Sequence, residues 1–279
     1  GVGTVEYTLG GTQEIENVTY NNLTISGGSG TKSSSENLDI DGDLTIAAST
    51  TLDIDAGSHN LNIAGSFSNA GTLTIDGEQV TFDGTGDKTS SAISNAAGNL
   101  VVNKTSSGKV TFGGAGSFTN ITVTAGTLDI GAQTFSAAGA VDLDGTLSLT
   151  TLGIFNAALA TDVDAGGTLS IGGTGTYNAV GQFTAAGNVT FTGAGNLVCS
   201  STNNNTFGTL TDNLGTVTFD ATGGVQALPN VTFFNLTANN TNGLTMAADV
   251  QVDGVLTFTN GNITTGANSL IFGNSSPAT

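Results

Sequence analysis

The chain holds one histidine and one cysteine, two residue types that often carry metal or nucleophilic chemistry. His59 lies in the turn-like segment GSHN with no cysteine or second histidine near it, so a zinc site or a histidine relay lacks partner residues. Cys199 follows Leu197 and Val198 in an apolar run, which favours a small buried side chain; an intermolecular disulfide is the alternative. We therefore predict no histidine or cysteine active site.

Aspartates at alternate positions are the next candidates for chemistry. Asp39, Asp41 and Asp43 alternate and are predicted to share one face of a strand, with Asp53 and Asp55 on a neighbouring strand. Such oxygens suit Ca²⁺, or two of them could serve a glycoside hydrolase. However, Trp is absent and only three Tyr are present, so no aromatic sugar platform accompanies them. A solvated acidic face is the preferred interpretation, and we predict no cofactor and no enzymatic activity.

The charge balance excludes two classes of partner. The formal net charge is −18, and the only cations besides His59 are four lysines, so phosphate neutralisation on nucleic acid is excluded. No apolar stretch approaches the ~20 residues that cross a bilayer, so no membrane insertion is expected. Charged residues make up only 9% of the chain, against about a quarter in an average domain. Together with the abundant Gly, Thr, Ser and Asn, this indicates an extracellular or cell-surface protein.

Two patterns concern the surface. Asn-x-Ser/Thr sequons are candidate carriers of surface glycans. They include Asn17, Asn22, Asn103, Asn120, Asn188, Asn230, Asn235 and Asn262.

Thr-x-Thr pairs resemble the ice-binding rows of some solenoids, but Thr also favours the outward face of any strand. The rows are interrupted by Asp129, Ser148 and Ser170, so ice binding is disfavoured.

One short repeat supplies the elements that would position all these residues. It reads GTLTIDG at 71–77, GTLDIGA at 126–132, GTLSIGG at 167–173 and GVLTFTNG at 254–261. Alternation of apolar and polar residues is the signature of a half-buried strand, and glycines at its ends supply turns. Successive apolar pairs begin too close together for intervening helices. The predicted core residues are Leu73, Ile75, Leu128, Ile130, Leu147, Leu149, Leu169, Ile171, Leu256 and Phe258.

Longer similarities indicate a repeated unit of several strands. VTYNNLT from Val18 matches VTFFNLT from Val231, and each is followed by a DGDLTI-like strand. Three short strands with tight corners need about 20 to 24 residues, which gives roughly 11 to 14 coils and a rod of about 55 to 65 Å. We predict an all-β fold, a right-handed parallel β-solenoid that forms one continuous domain over residues 1–279. An array of β-sandwiches is the alternative.

The repeats carry a resemblance to a known class. The segment from Phe233 to Gly273, FFNLTANNTNGLTMAADVQVDGVLTFTNGNITTGANSLIFG, resembles the repeats of secreted bacterial adhesin-like and haemagglutinin-like β-helix proteins. The segment from Tyr20 to Gly65 carries the same kind of repeat, and the rest of the chain resembles it more loosely. The resemblance implies right-handed parallel β-helices, export, and attachment or matrix roles.

The two ends suggest how such a rod would be used. Neither terminus shows a charged amphipathic helix that could cap an open coil, so we predict that the terminal strands pair with other copies of the chain. The predicted assembly residues are Val5, Tyr7, Leu9, Leu270 and Phe272. Repeated head-to-tail contact makes an open filament, so we expect a structural subunit whose partner is itself. The alternative is the stalk or passenger region of a surface adhesin.

Overall fold

The chain folds into a parallel β-solenoid of about 13 coils with three faces. The structure is a computed structural model that describes residues 3–54, 59–75, 77–94, 98–105, 107–212 and 214–273, so Asp55 lies outside the described residues. The described residues form 39 strands and no helix. Every strand pairing among them is parallel, as a β-solenoid requires. An array of β-sandwiches, the alternative, would contain antiparallel sheets.

Successive strands lie on the three faces in turn, except that the tenth coil has no strand on face 3. Face 1 contains β1 (Thr4–Tyr7), β4 (Asn22–Ile25), β7 (Leu44–Ile46), β10 (Phe67–Asn69), β13 (Lys88–Ser90), β16 (Lys109–Phe112), β19 (Thr127–Asp129), β22 (Thr146–Leu149), β25 (Thr168–Ile171), β28 (Asn188–Phe191), β30 (Thr209–Asp212), β33 (Thr232–Phe233), β36 (Val250–Val252) and β39 (Leu270–Phe272). Face 2 contains β2 (Gln13–Glu14), β5 (Thr31–Ser34), β8 (Thr51–Ile54), β11 (Thr72–Ile75), β14 (Ile93–Ser94), β17 (Gly116–Phe118), β20 (Thr134–Ala137), β23 (Ile154–Ala157), β26 (Thr176–Ala179), β29 (Asn196–Cys199), β31 (Thr216–Phe219), β34 (Asn235–Asn239) and β37 (Leu256–Asn260). Face 3 contains β3 (Thr19–Tyr20), β6 (Leu38–Ile40), β9 (Leu61–Ile63), β12 (Gln79–Phe82), β15 (Asn99–Asn103), β18 (Ile121–Ala125), β21 (Val141–Leu143), β24 (Thr161–Val163), β27 (Phe183–Ala185), β32 (Gln226–Leu228), β35 (Leu244–Met246) and β38 (Ile263–Thr264).

The period-two pattern decides which side chains fill the interior. In β25, Leu169 and Ile171 are fully buried while Thr168 and Ser170 point outward. Each inward residue lies in register with the inward residue of the next coil, so the same pattern in every repeat builds one continuous core. Sharp corners need glycine: at Gly27, with φ +93°, an added Cβ would lie 1.8 Å from the Thr8 carbonyl oxygen.

Aromatic rings form a continuous chain of contacts along the interior. Neighbouring ring centroids lie 4.9 to 6.4 Å apart, mostly in edge-to-face or stacked arrangements. In spatial order the rings are Phe82, Phe112, Phe135, Phe155, Tyr177, Phe183, Phe207, Phe233 and Phe219. These side-chain contacts run from the fourth coil to the twelfth, in addition to the strand pairing that joins the same coils.

Two of the four lysines lie inside the solenoid. Lys32 is fully buried, and its Nζ donates hydrogen bonds to the carbonyl oxygens of Leu9 at 2.9 Å and Gly11 at 3.1 Å. Lys104 donates in the same way to the carbonyl oxygens of Ala64 and Asp83. Corner carbonyls that lack a ladder partner therefore receive their hydrogen bonds from buried ammonium groups.

The ladders of the described residues are interrupted at three places. On face 1, β30 pairs only with β28, and the next strand, β33, pairs only with β36. On face 2, β11 pairs only with β8, and the next strand, β14, pairs only with β17. On face 3, the tenth coil contributes a single bridge between Thr184 and Thr206, and pairing resumes at β32 in the next coil. Each face therefore has one internal interruption besides its two ends.

The structure confirms most of the predicted core and corrects one member. Seven of its ten residues are buried, including Ile75 at 7% exposure, and Leu73 and Leu256 pack against the core while half-buried. Phe258 is 54% exposed, so its prediction as a core residue is wrong. It does point inward, in register with buried Ala238, but β37 is the last described strand of face 2, and no strand of the described residues covers the ring.

Candidate functional site: the two ends of the solenoid

The N-terminal end is formed by β1, whose only strand partner among the described residues is β4. Val5 and Tyr7 are in register with the buried side chains Leu23 and Ile25, so both point inward. Val5 is nevertheless 46% exposed, because no described strand lies on the other side of β1. The outer edge of β1 thus presents free backbone groups beside an inward apolar side chain.

A tyrosine pair closes part of this end. The Tyr7 and Tyr20 hydroxyls lie 2.9 Å apart and their rings meet edge to face. Tyr20 donates to the Glu16 carbonyl oxygen at 2.8 Å, and the Tyr7 oxygen accepts from the Glu16 N–H at 3.1 Å. Burial, and then the hydrogen bond with Tyr7, raise the pKa of Tyr20, so its hydroxyl remains a donor. Sequence reasoning missed Tyr20, because nothing local shows that its ring turns toward the end of the rod.

Leu9, the third predicted N-terminal assembly residue, lies beyond β1. Its side chain is 67% exposed, and its carbonyl oxygen is held by Lys32. The structure therefore groups Val5 and Tyr7 on the end strand and places Leu9 at the corner that follows.

The C-terminal end is more apolar than the N-terminal end. Within the described residues, β37, β38 and β39 each pair on one side only. Leu270 and Phe272 are in register with buried Val250 and Val252, so both face inward, and Phe272 is 63% exposed. With Phe258 they form an end surface of inward side chains that the described coils leave uncovered.

Charge distinguishes the two ends. Residues 254–279 contain no Asp, Glu, Lys, Arg or His. The first coil carries Glu6, Glu14 and Glu16, all exposed. The C-terminal surface can therefore approach a surface that bears carboxylates without meeting like charge.

The aspartates suggested as calcium ligands do not share a strand face. Asp39 points outward on β6, where its Oδ2 accepts from the Thr19 hydroxyl at 3.2 Å. The strand ends at Ile40, so Asp41 and Asp43 lie in the following corner, and the prediction of one alternating face is wrong. Asp43 Oδ1 accepts from the Ser66 N–H at 2.8 Å. Within the part of the chain that the structure describes, no three His, Cys, Asp or Glu side chains form a group suited to a metal ion.

The single histidine and the single cysteine of the chain lie in ordinary environments. His59 is half-buried in the segment before β9. Cys199 is fully buried as a free thiol, in register with Ala179 and Phe219, and burial raises its pKa.

No protein-family model, curated protein or solved structure matches the chain. Among the described residues, no helix has the length and apolar character needed to cross a membrane.

Proposed function

We propose that this protein is the structural subunit of an extracellular filament, assembled head-to-tail through its solenoid ends. The observation that carries the proposal is the C-terminal end surface, where Phe258 and Phe272 point inward yet are more than half exposed beside free strand edges. Covering such side chains removes apolar surface from water, at about 25 cal/mol per Å².

The two ends match in face and spacing. Among the described residues, β39 is the last strand of face 1 and β1 is its first, so a second copy can add β1 to β39 as the next parallel strand. Leu270 and Phe272 are two residues apart, as are Val5 and Tyr7, which places Val5 over Leu270 and Tyr7 over Phe272. Backbone hydrogen bonds would supply affinity and the inward side chains would fix the register.

The proposed joint contains no ion pair, because the C-terminal surface is uncharged. Added salt should therefore leave filament length nearly unchanged, whereas a joint of exposed ion pairs would weaken. A contact between two different surfaces that repeats without closing produces an open filament.

Phe272→Asp and Ile271→Asp form a matched test. Both residues lie on β39 and are exposed, at 63% and 42%, but Phe272 points into the joint while Ile271 is in register with outward Gln251. We expect wild type and Ile271→Asp to form uniform fibres by electron microscopy, and Phe272→Asp to remain as short rods of unchanged melting temperature. Fibres of normal length from Phe272→Asp would contradict the proposed joint.

Deletion of residues 1–10 tests the other side of the contact by removing β1. Loss of fibres, with the remaining coils still folded by circular dichroism, is the expected result. If the truncated chain polymerises normally, β1 is not the coupling element, and the stalk of a surface adhesin becomes the better proposal.

The extracellular location rests on composition and on the resemblance of the repeats. Glycans on the sequons are part of the same proposal, and the structure separates the candidates. Asn120 and Asn235 use their amide nitrogens in hydrogen bonds to Asn99 and to the Leu214 and Gly215 carbonyls. Asn17, Asn103 and Asn262 are exposed and are the better carriers. An intact mass of native material that equals the bare chain would remove this part of the proposal.

A further inference from the structure

A groove opens on face 3 where its ladder is interrupted. β27 ends at Ala185, the tenth coil adds only the bridge at Thr206, and β32 pairs with β35 alone. This groove, between Thr206 and β32, has a volume of about 350 Å³. This volume lies at the lower end of the roughly 300 to 1,000 Å³ typical of small-molecule sites.

The floor of the groove is apolar and includes an aromatic ring. Phe207 is partly buried, with its ring centroid 5.3 Å from that of Phe183 and 6.4 Å from that of Phe233, so the interior holds the ring in place. Leu228 and Pro229 continue the floor on the opposite wall. A flat ligand face bearing C–H groups can pack against such a surface.

The rim carries polar side chains that form no hydrogen bond with the rest of the described protein. Asn204, Thr206 and Asn230 are exposed, and no hydrogen bond from their side chains to another described residue is found. Neighbouring Asn205 differs, because it is 3% exposed and its Oδ1 accepts from the Phe183 N–H at 3.0 Å. Each free amide offers two donors and an acceptor, which is the combination that pairs with hydroxyl groups.

None of the residues lining the groove is charged, although the chain carries a net charge of −18. An anionic ligand would find no counter-charge there, and a cationic ligand would find no carboxylate. Strand addition by a peptide is limited, because β32 offers three residues and the following Pro229 has no N–H. We propose that this groove binds a neutral saccharide, with a pyranose ring on Phe207 and its hydroxyls on Asn204 and Asn230.

The residues that line the groove do not include those of the proposed joint, so binding can be tested on the wild-type chain and on Phe272→Asp alike. Saturation-transfer NMR with mannose, galactose, N-acetylglucosamine and its trimer probes neutral sugars, N-acetylneuraminic acid probes an anionic one, and an uncharged Thr/Val peptide probes strand addition. We expect at least one neutral sugar to bind, and neither the anionic sugar nor the peptide to do so.

Three variants locate the binding. Asn204→Ala with Asn230→Ala should weaken binding about tenfold or more, since two hydrogen bonds are lost. Ala247→Arg, at an exposed lining position, should block the groove. Asn203→Ala is the matched control, an exposed asparagine that does not line the groove, and should bind as wild type. The proposal is overturned if no neutral sugar binds, if only the peptide binds, or if the blocked variant binds normally.

Discussion

At the scale of single residues, the direction of each side chain matters more than its type. Ile171 is fully buried in register with Leu149 and Phe191, whereas Ser170 points outward between Ser148 and Thr190. Ile171→Asp should bury an unpaired carboxylate and cost several kcal/mol, since little within the apolar core can pair with it. The measurement is the midpoint of denaturant unfolding.

Ser170→Asp is the matched control, because it places the same carboxylate one position away in solvent. It should shift the midpoint little, as should Thr168→Ala at the start of the same strand. Equal losses for Ile171→Asp and Ser170→Asp would show that the two faces of β25 are assigned the wrong way round.

Cys199 should not react with thiol reagents while the protein is folded. Its thiol is fully buried and burial raises its pKa, so both access and thiolate formation are suppressed. Ellman's reagent should detect no thiol in the native chain and one after denaturation. Asn203→Cys supplies an exposed comparison; a native Cys199 that reacts as fast as this introduced thiol would contradict the burial.

The inward positions of Leu and Ile could be predicted from the sequence, since alternation alone determines them. The inward positions of Lys32 and Lys104 could not. Whether a lysine enters the core depends on unpaired corner carbonyls nearby in space, and those at Leu9 and Gly11 are more than 20 residues away from Lys32. The exposure of Phe258 was missed for a similar reason, because alternation shows the direction of a side chain but not whether a neighbouring strand covers it.

At the scale of strands, the breaks in the ladders should control local opening. Among the described residues, β11 pairs with β8 alone, while β22 is paired on both sides by β19 and β25. Amide hydrogen exchange should therefore be faster in β11 than in β22, although both strands carry the same Thr-Leu-x-aliphatic pattern. Equal protection factors in the two strands would show that the edge of β11 is covered in solution.

These breaks could not be predicted from the sequence. GTLTIDG around β11 reads like the other repeats, yet among the described residues β11 pairs with β8 alone. The groove beside Phe207 also lies at a break, since the tenth coil has a single bridge in place of a face 3 strand. Periodicity predicts which segments form strands, whereas continuity of a ladder depends on pairing with segments a whole coil away in the chain.

At the scale of the whole molecule, stability should rise on mild acidification. Burial raises the pKa of Asp212 from its ordinary value of 3.8 to about 6, despite hydrogen bonds from the Phe234 and Gly215 N–H groups. Burial also raises the pKa of Asp83 and Asp142. Between the ordinary and the raised values the folded chain binds more protons than the unfolded chain, so stability is greater at about pH 5 than at about pH 7.5.

Melting temperatures by circular dichroism at the two pH values test this prediction. Asp212→Asn should reduce the difference, because the side chain no longer titrates, while Glu36→Gln at an exposed position should not. A wild-type chain that melts lower at about pH 5 than at about pH 7.5 would contradict the prediction.

The strand count predicts the repeat of the proposed filament. Face 1 has 14 strands within the described residues, so adding β1 to β39 gives an axial repeat of roughly 67 Å at about 4.8 Å per strand. Fibre diffraction should show the 4.8 Å spacing along the fibre axis, and power spectra of micrographs should show the longer repeat. A long repeat that differs by several strand spacings would rule out the β1–β39 contact.

The coils are joined to one another mainly through their ladders, and this has a mechanical consequence. A pull on the two ends loads the outermost strand first, and each coil that peels away frees roughly 20 residues, or about 70 Å of extended chain. The rod should therefore lengthen under tension in a series of similar steps, dissipating work at each one and shortening again when released. The filament proposed above would therefore absorb mechanical work by extending one coil at a time.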